Sequence, residues 1–182
     1  MSENKTEVIV SEGVQAFELA QRRAMVYAKS SLVPIDYRGE GNLPNVMIAM
    51  DMAHRMDVGL LQVMQSLYIV HGKPGWSSQF LVSRWNTCGK FSHIKYRFNE
   101  EQTECVAWAT EHASGEVIEG PKVSIEMAKK EGWYDKKGSK WQTMPGVMLR
   151  YRAATFLIRT TAPELAMCLY EETELEDIQE SN

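Results

Sequence analysis

The spacing of apolar positions changes period along this chain. Between Glu12 and Ser30, Val14, Phe17, Ala20, Ala24 and Ala28 recur three or four residues apart, the stripe of an amphipathic helix. SSLVPIDYRGEGNLPN reads as a loop punctuated by Pro34, Gly39, Gly41 and Pro44. A second helix is expected over Val46–Met56, capped by Asn45 and closed by Gly59, with a helical turn over Leu61–Ser66. The period then shortens. LYIVHGKPGWSS has the turn chemistry of a hairpin, and Gln79–Thr87 reads as a helix ended by Gly89. FSHIKYRF, TECVAWATEH and GEVIEGPKV form three strands of an antiparallel meander, with polar turns at Asn99–Gln102 and Ala113–Gly115. Helical spacing returns after Ser124, a cap for a short helix to Lys130. GWYDKKGSKWQ is a loop or small hairpin. Pro145 suits the first turn of a long helix to about Thr161, which Pro163 breaks.

Helices, a meander and helices again predict an α+β fold: a three-stranded antiparallel meander plus a hairpin, with helices packed on one sheet face. The expected organisation is a flexible polar segment at 1–11, one domain at 12–170 and a flexible acidic tail at 171–182. At 182 residues the chain suits one compact domain. It contains no apolar run of membrane-spanning length, and its N-terminus lacks the pattern of a signal peptide. Cys88, Cys105 and Cys168 are too few and too scattered for a disulfide framework, which fits a reducing cytoplasm.

Charge redraws this picture. The net charge of −4 hides a strong partition. Residues 68–160 hold fourteen bases against nine acids and all five tryptophans, whereas residues 161–182 hold seven acids and no base. A basic, Trp-rich middle is suited to phosphates and stacked bases.

Three elements carry that charge. Alternation along FSHIKYRF puts Ile94, Tyr96 and Phe98 on one strand face and His93, Lys95 and Arg97 on the other. The run KKEGWYDKKGSKW interleaves Lys136, Lys137 and Lys140 with Trp133, Tyr134 and Trp141. Such a loop suits single-stranded nucleic acid, with Trp133 and Trp141 as candidate base-stackers, although tryptophans in a solvated loop more often anchor it to the core. On the long helix, Arg152 and Arg159 lie seven residues apart on one stripe, about 10 Å along the axis, while Arg150 points elsewhere. The pair reads either as phosphate clamps or as salt bridges.

Other chemistry is thin. There is no GxxxxGK[ST] loop, no zinc-like spacing of Cys and His, and no nucleophile–base pair. Glu116 and Glu119 beside Lys122 faintly resemble the acids of a small metal-dependent nuclease, but a turn-edge strand with solvated charges explains them more simply. A non-catalytic adaptor with a basic face is the third class.

NVMIAMDMAHRMDVG, LLQVMQSLYIVHGKPGWSSQFLVSRWNTCGKFSHIKY and EGWYDKKGSKWQTMPGVMLRYRAATFLIRTTAPELAM together resemble the RecT/Redβ group of phage and prophage single-strand annealing recombinases, over roughly residues 45–172. The resemblance implies a bacterial, cytoplasmic DNA-binding protein that anneals complementary strands without ATP, a cofactor or a bond-breaking active site. It also implies a basic groove between sheet and helices. Carried onto this chain, the groove candidates are Lys95, Arg97, Lys136, Lys137, Lys140, Arg150, Arg152 and Arg159. The implied partners are single-stranded DNA, annealed duplex, further copies of the chain in a ring or helical filament, and a phage exonuclease. A host single-strand-binding protein joins them where a C-terminal partner-binding module is present.

Overall fold

A computed structural model describes residues 3–70 and 72–175, with side chains from Gly13 onward. The fold is mixed α+β, as expected. The chain divides into two compact units, Met1–Leu67 and Tyr68–Asn182.

The first unit is helical. Helix α1 spans Glu3–Ala28, so the loose segment predicted for 1–11 is helical from Glu3 onward. Helix α2 spans Leu43–Met56 and α3 spans Leu60–Ser66. Pro44 sits in the first turn of α2, where its missing N–H costs nothing. Asn45 is therefore inside the helix and not its cap; its Nδ2 donates to the Asp36 carbonyl at 2.9 Å. Asp57 in the left-handed conformation, rather than Gly59, ends α2. Ala24, Ala28, Val33, Val46, Ala49 and Val63 form the core of this unit. Tyr37 is buried with them, which pushes its phenol up to about 12.

The second unit begins in strand β1 (Leu67–Val70) and continues through β2 (Lys73–Trp76) and helix α4 (Ser78–Thr87). The meander follows as β3 (Lys95–Phe98), β4 (Glu104–Thr110), β5 (Val117–Glu119) and β6 (Val123–Ser124). Helices α5 (Ile125–Lys130), α6 (Lys140–Thr143) and α7 (Pro145–Thr161) and strand β7 (Tyr170–Glu171) complete it. Ser77 caps α4 and Ser124 caps α5, each hydroxyl accepting an N–H from the first turn.

The predicted third strand is broken in two. β5 pairs with Trp108–Thr110 of β4, and β6 pairs with Glu104 and Cys105 of the same strand. The break falls at Gly120–Pro121. Pro121 has no N–H to donate, and Gly120 is pressed on α7: a Cβ there would lie 2.8 Å from the Leu157 Cβ and 3.0 Å from its Cα. Gly120→Ala is expected to destabilise this unit by about 1–3 kcal/mol through overpacking, measured by urea denaturation. No change would mean that the strand is free to withdraw from the helix.

Strand β4 buries Cys105, Ala107 and Ala109 against α7, whose Ala153, Ala154, Leu157 and Ile158 are fully buried. Small residues on both elements bring the helix close to the sheet. The tryptophans hold the rest. Trp76 stacks on Phe80 at 4.3 Å and donates its ring N–H to the Ala166 carbonyl, while Trp85 stacks on Phe91 at 4.2 Å and donates to the Ser92 carbonyl. The second sheet has the order β1-β2-β7, with β7 parallel to β2. The tail predicted to be loose from 171 is thus folded through Leu175, and 176–182 lie outside the described residues. No helix among the described residues is long and apolar enough to cross a membrane.

Candidate nucleic-acid interface

All the nominated side chains belong to the second unit, and the fold distributes them over three places. The first is the sheet face opposite α7. Lys95 pairs in register with Trp108, and Trp108 with Glu119, so the three form one row across β3, β4 and β5. The Lys95 Nζ stands 5.0 Å over the Trp108 ring. Arg97 bonds both carboxylate oxygens of Glu119 at 2.8 Å, and Lys122 bonds Glu104 at 2.9 Å. The alternation predicted for β3 is present, but Glu119 of β5 neutralises Arg97, and Lys95 rests over the Trp108 ring.

The second place is the inner edge of the same sheet. Arg150 is exposed and lies 5.8 Å from the Tyr96 ring and 5.4 Å from Phe98, above a shallow depression walled by Phe98, Met144 and Val147. Because Tyr96 and Phe98 point toward α7, Lys95 and Arg97 point away from it. The strand and helix cations therefore do not share one groove. The Cys105 thiol lies under the sheet, and burial pushes it up to about 11, which removes it as a nucleophile.

The third place is built on the other side of α7. Arg152 and Arg159 share a stripe, as their spacing predicts, and both turn to one carboxylate. Glu174 bonds Arg159 directly, and its Oε1 is 3.9 Å from Arg152. Arg152 is only 5% exposed and Glu174 6%. The Arg152 guanidinium lies over Trp133, 4.1 Å from its ring centre, and Arg159 lies 4.6 Å from the Tyr170 ring. Of the two readings of this arginine pair, salt bridging describes the observed state.

Of the two readings of Trp133 and Trp141, burial matches the core anchor rather than the base-stacker. They are 8% and 3% exposed and stack on each other at 5.6 Å, with Arg152 on one face of Trp133. The loop between them is pinned by Ser139, which donates to the Trp133 carbonyl and caps α6. Lys136 is half-buried, while Lys137 and Lys140 are exposed and carry no ion pair among the described residues.

A cavity of about 330 Å³ opens beside the arginine pair, lined by Tyr68, Ser78, Lys140, Tyr151, Arg152 and Glu171 among others. Sequence reasoning missed Tyr68, Tyr151, Glu171 and Glu174. The apolar Leu175 inside the acidic run, 3% exposed, was the signal that the run packs.

Glu171 is 2% exposed, and burial raises its carboxyl above the ordinary 4.5 despite hydrogen bonds from Ser78 and Thr173 and the charge of Arg152. The native state then holds this proton more tightly than the unfolded chain, so stability falls as pH rises from 4.5 through the raised value. Thermal melts across that window should show Glu171→Gln gaining on the parent as pH rises; parallel curves would contradict it.

No family model, curated protein or solved structure matches the chain.

Proposed function

We propose that this protein binds single-stranded DNA and anneals complementary strands without a nucleotide cofactor, in the manner of the RecT/Redβ recombinases it resembles. The observation that carries the reading is a cavity that brings Lys140 and Arg152 together with Tyr68 and Tyr151, with Arg159 reached from Arg152 through the shared Glu174 carboxylate. Guanidinium forks match phosphate oxygens, and phenol rings offer flat faces to unstacked bases. Gripping one strand by its backbone leaves its base edges open to a second strand. Correct pairing then supplies the free energy, so no ATP is needed.

Assembly strengthens such binding, because neighbouring protomers on one strand convert weak contacts into a long-lived coat. The first unit offers the surface for it. Helix α1 exposes Val14, Phe17, Leu19 and Val26 by more than half. A ring or filament of copies of this chain on DNA is part of the proposal, as is a bacterial cytoplasmic setting.

The nuclease alternative has lost its best acid, since Glu119 is held by Arg97. Among the described residues no group of three or more His, Cys, Asp or Glu side chains is placed to hold a metal ion. The deciding experiment mixes two complementary oligonucleotides with the protein in EDTA and follows duplex formation. Acceleration over the protein-free rate supports annealing. No acceleration, or magnesium-dependent cleavage of either strand, overturns it.

A further inference from the structure

We propose that the segment Tyr170–Leu175 is an internal strap that occupies the phosphate seat of α7, and that a single strand must displace it to bind. The inference rests on the DNA-binding reading above.

Four observations meet at this strap. Its Glu174 carboxylate engages both arginines of one helix stripe, as a phosphate group on that stripe would. Glu171, Glu172 and Thr173 form one wall of the cavity whose other walls include Lys140, Arg152 and Tyr151, so the acids close a basic and aromatic site. The strap's sheet attachment is short: β7 meets β2 at only two positions, Gly75↔Tyr170 and Trp76↔Glu171. The fit is nevertheless close. A Cβ at Gly75 would stand 2.8 Å from Leu175 Cδ1 and 3.2 Å from the Glu172 Cα, so the strap lies directly on β2.

The polar contacts are those of a segment that supplies its own anions. The Glu171 N–H donates to Glu174, and the Glu171 carboxylate accepts from Ser78 at 2.6 Å and from the Thr173 N–H at 3.0 Å. Without the strap, Arg152 in the cavity wall and Arg159 along the same helix stripe would lose the Glu174 carboxylate they share. A strand that brings several phosphates at once can replace one carboxylate on the arginines and also engage Lys140. The strap then sets a threshold: short or weakly held strands fail to open the site, and long ones succeed.

The test measures the affinity of an oligothymidine for the full chain and for E174Q, which keeps the shape and removes the charge. E174Q is expected to bind about tenfold more tightly, the worth of one charge-assisted contact. Equal or weaker binding by a folded E174Q overturns the strap. A second measurement needs no variant. Hydrogen exchange of the unmodified protein should show the amides of Glu171 and Thr173 losing protection when the oligothymidine is added. Unchanged or increased protection there overturns the inference, because a merely structural segment would stay in place. If the unmodified chain and E174Q both fail to bind the oligothymidine, the DNA-binding reading itself falls and the strap's purpose falls with it. Binding without deprotection removes the strap alone.

Discussion

Arg152→Ala is expected to cost the second unit about 3 kcal/mol of stability, far more than any exposed cation in the same unit. The guanidinium is 5% exposed, lies on Trp133 and shares Glu174 with Arg159. Its removal leaves the buried carboxylate with one cation fewer and opens a hole beside an indole ring. Arg97→Ala is the internal comparison. Its pair with Glu119 is about half exposed, and such pairs are worth about 1 kcal/mol or less. Urea unfolding of both variants gives the ordering directly. Equal losses would show that Arg152 is solvated in solution and that the stripe on α7 is open. Arg152→Met, which fills the space without the charge, should recover part of the loss.

The joint variant Lys137→Ala, Lys140→Ala, Arg150→Ala should bind single-stranded DNA about a hundredfold more weakly at low salt, with the slope of log affinity against log salt reduced by about 2. These three side chains are exposed and pair with no carboxylate among the described residues, so they are available to phosphates without any ion pair being broken. A fluorescence anisotropy titration over a salt series separates the two quantities. A drop in affinity with an unchanged slope would assign these residues to some role other than phosphate contact. Thermal stability should stay near that of the parent, since none of the three is buried.

Much of this architecture follows from local signals. Ser124 marks a helix start by its hydroxyl, Pro145 opens α7, and the alternation along β3 separates Tyr96 and Phe98 from Lys95 and Arg97. Each of these is decided by neighbours a few residues away. Apart from the ends of α1 and α2, the misreadings are long-range. Glu119 lies twenty-two residues from Arg97 in sequence, and only the register of β4 with its two partners brings the pair together. A basic strand face therefore looked unopposed. The acidic run 171–175 was read as solvated because its charge density is high. Its burial comes from Leu175, from a parallel pairing with β2 more than ninety residues earlier, and from two arginines that needed an anion. Trp133 and Trp141 read as anchors of a lysine loop more readily than as platforms, but their stacking on each other is a tertiary fact that spacing does not encode. The division near Leu67 was hidden as well, because β1 follows α3 without a linker.

The placement of the tryptophans also gives the molecule a built-in optical partition. All five lie in the unit that starts at Tyr68, and the helical unit Met1–Leu67 has none. Indole emission thus follows the melting of the second unit alone, whereas far-ultraviolet circular dichroism sums the helices of both. Two coincident curves would mean that the units unfold as one cooperative block, and two separated ones that each carries its own free energy. The chain is its own reporter, with no label needed to tell its halves apart.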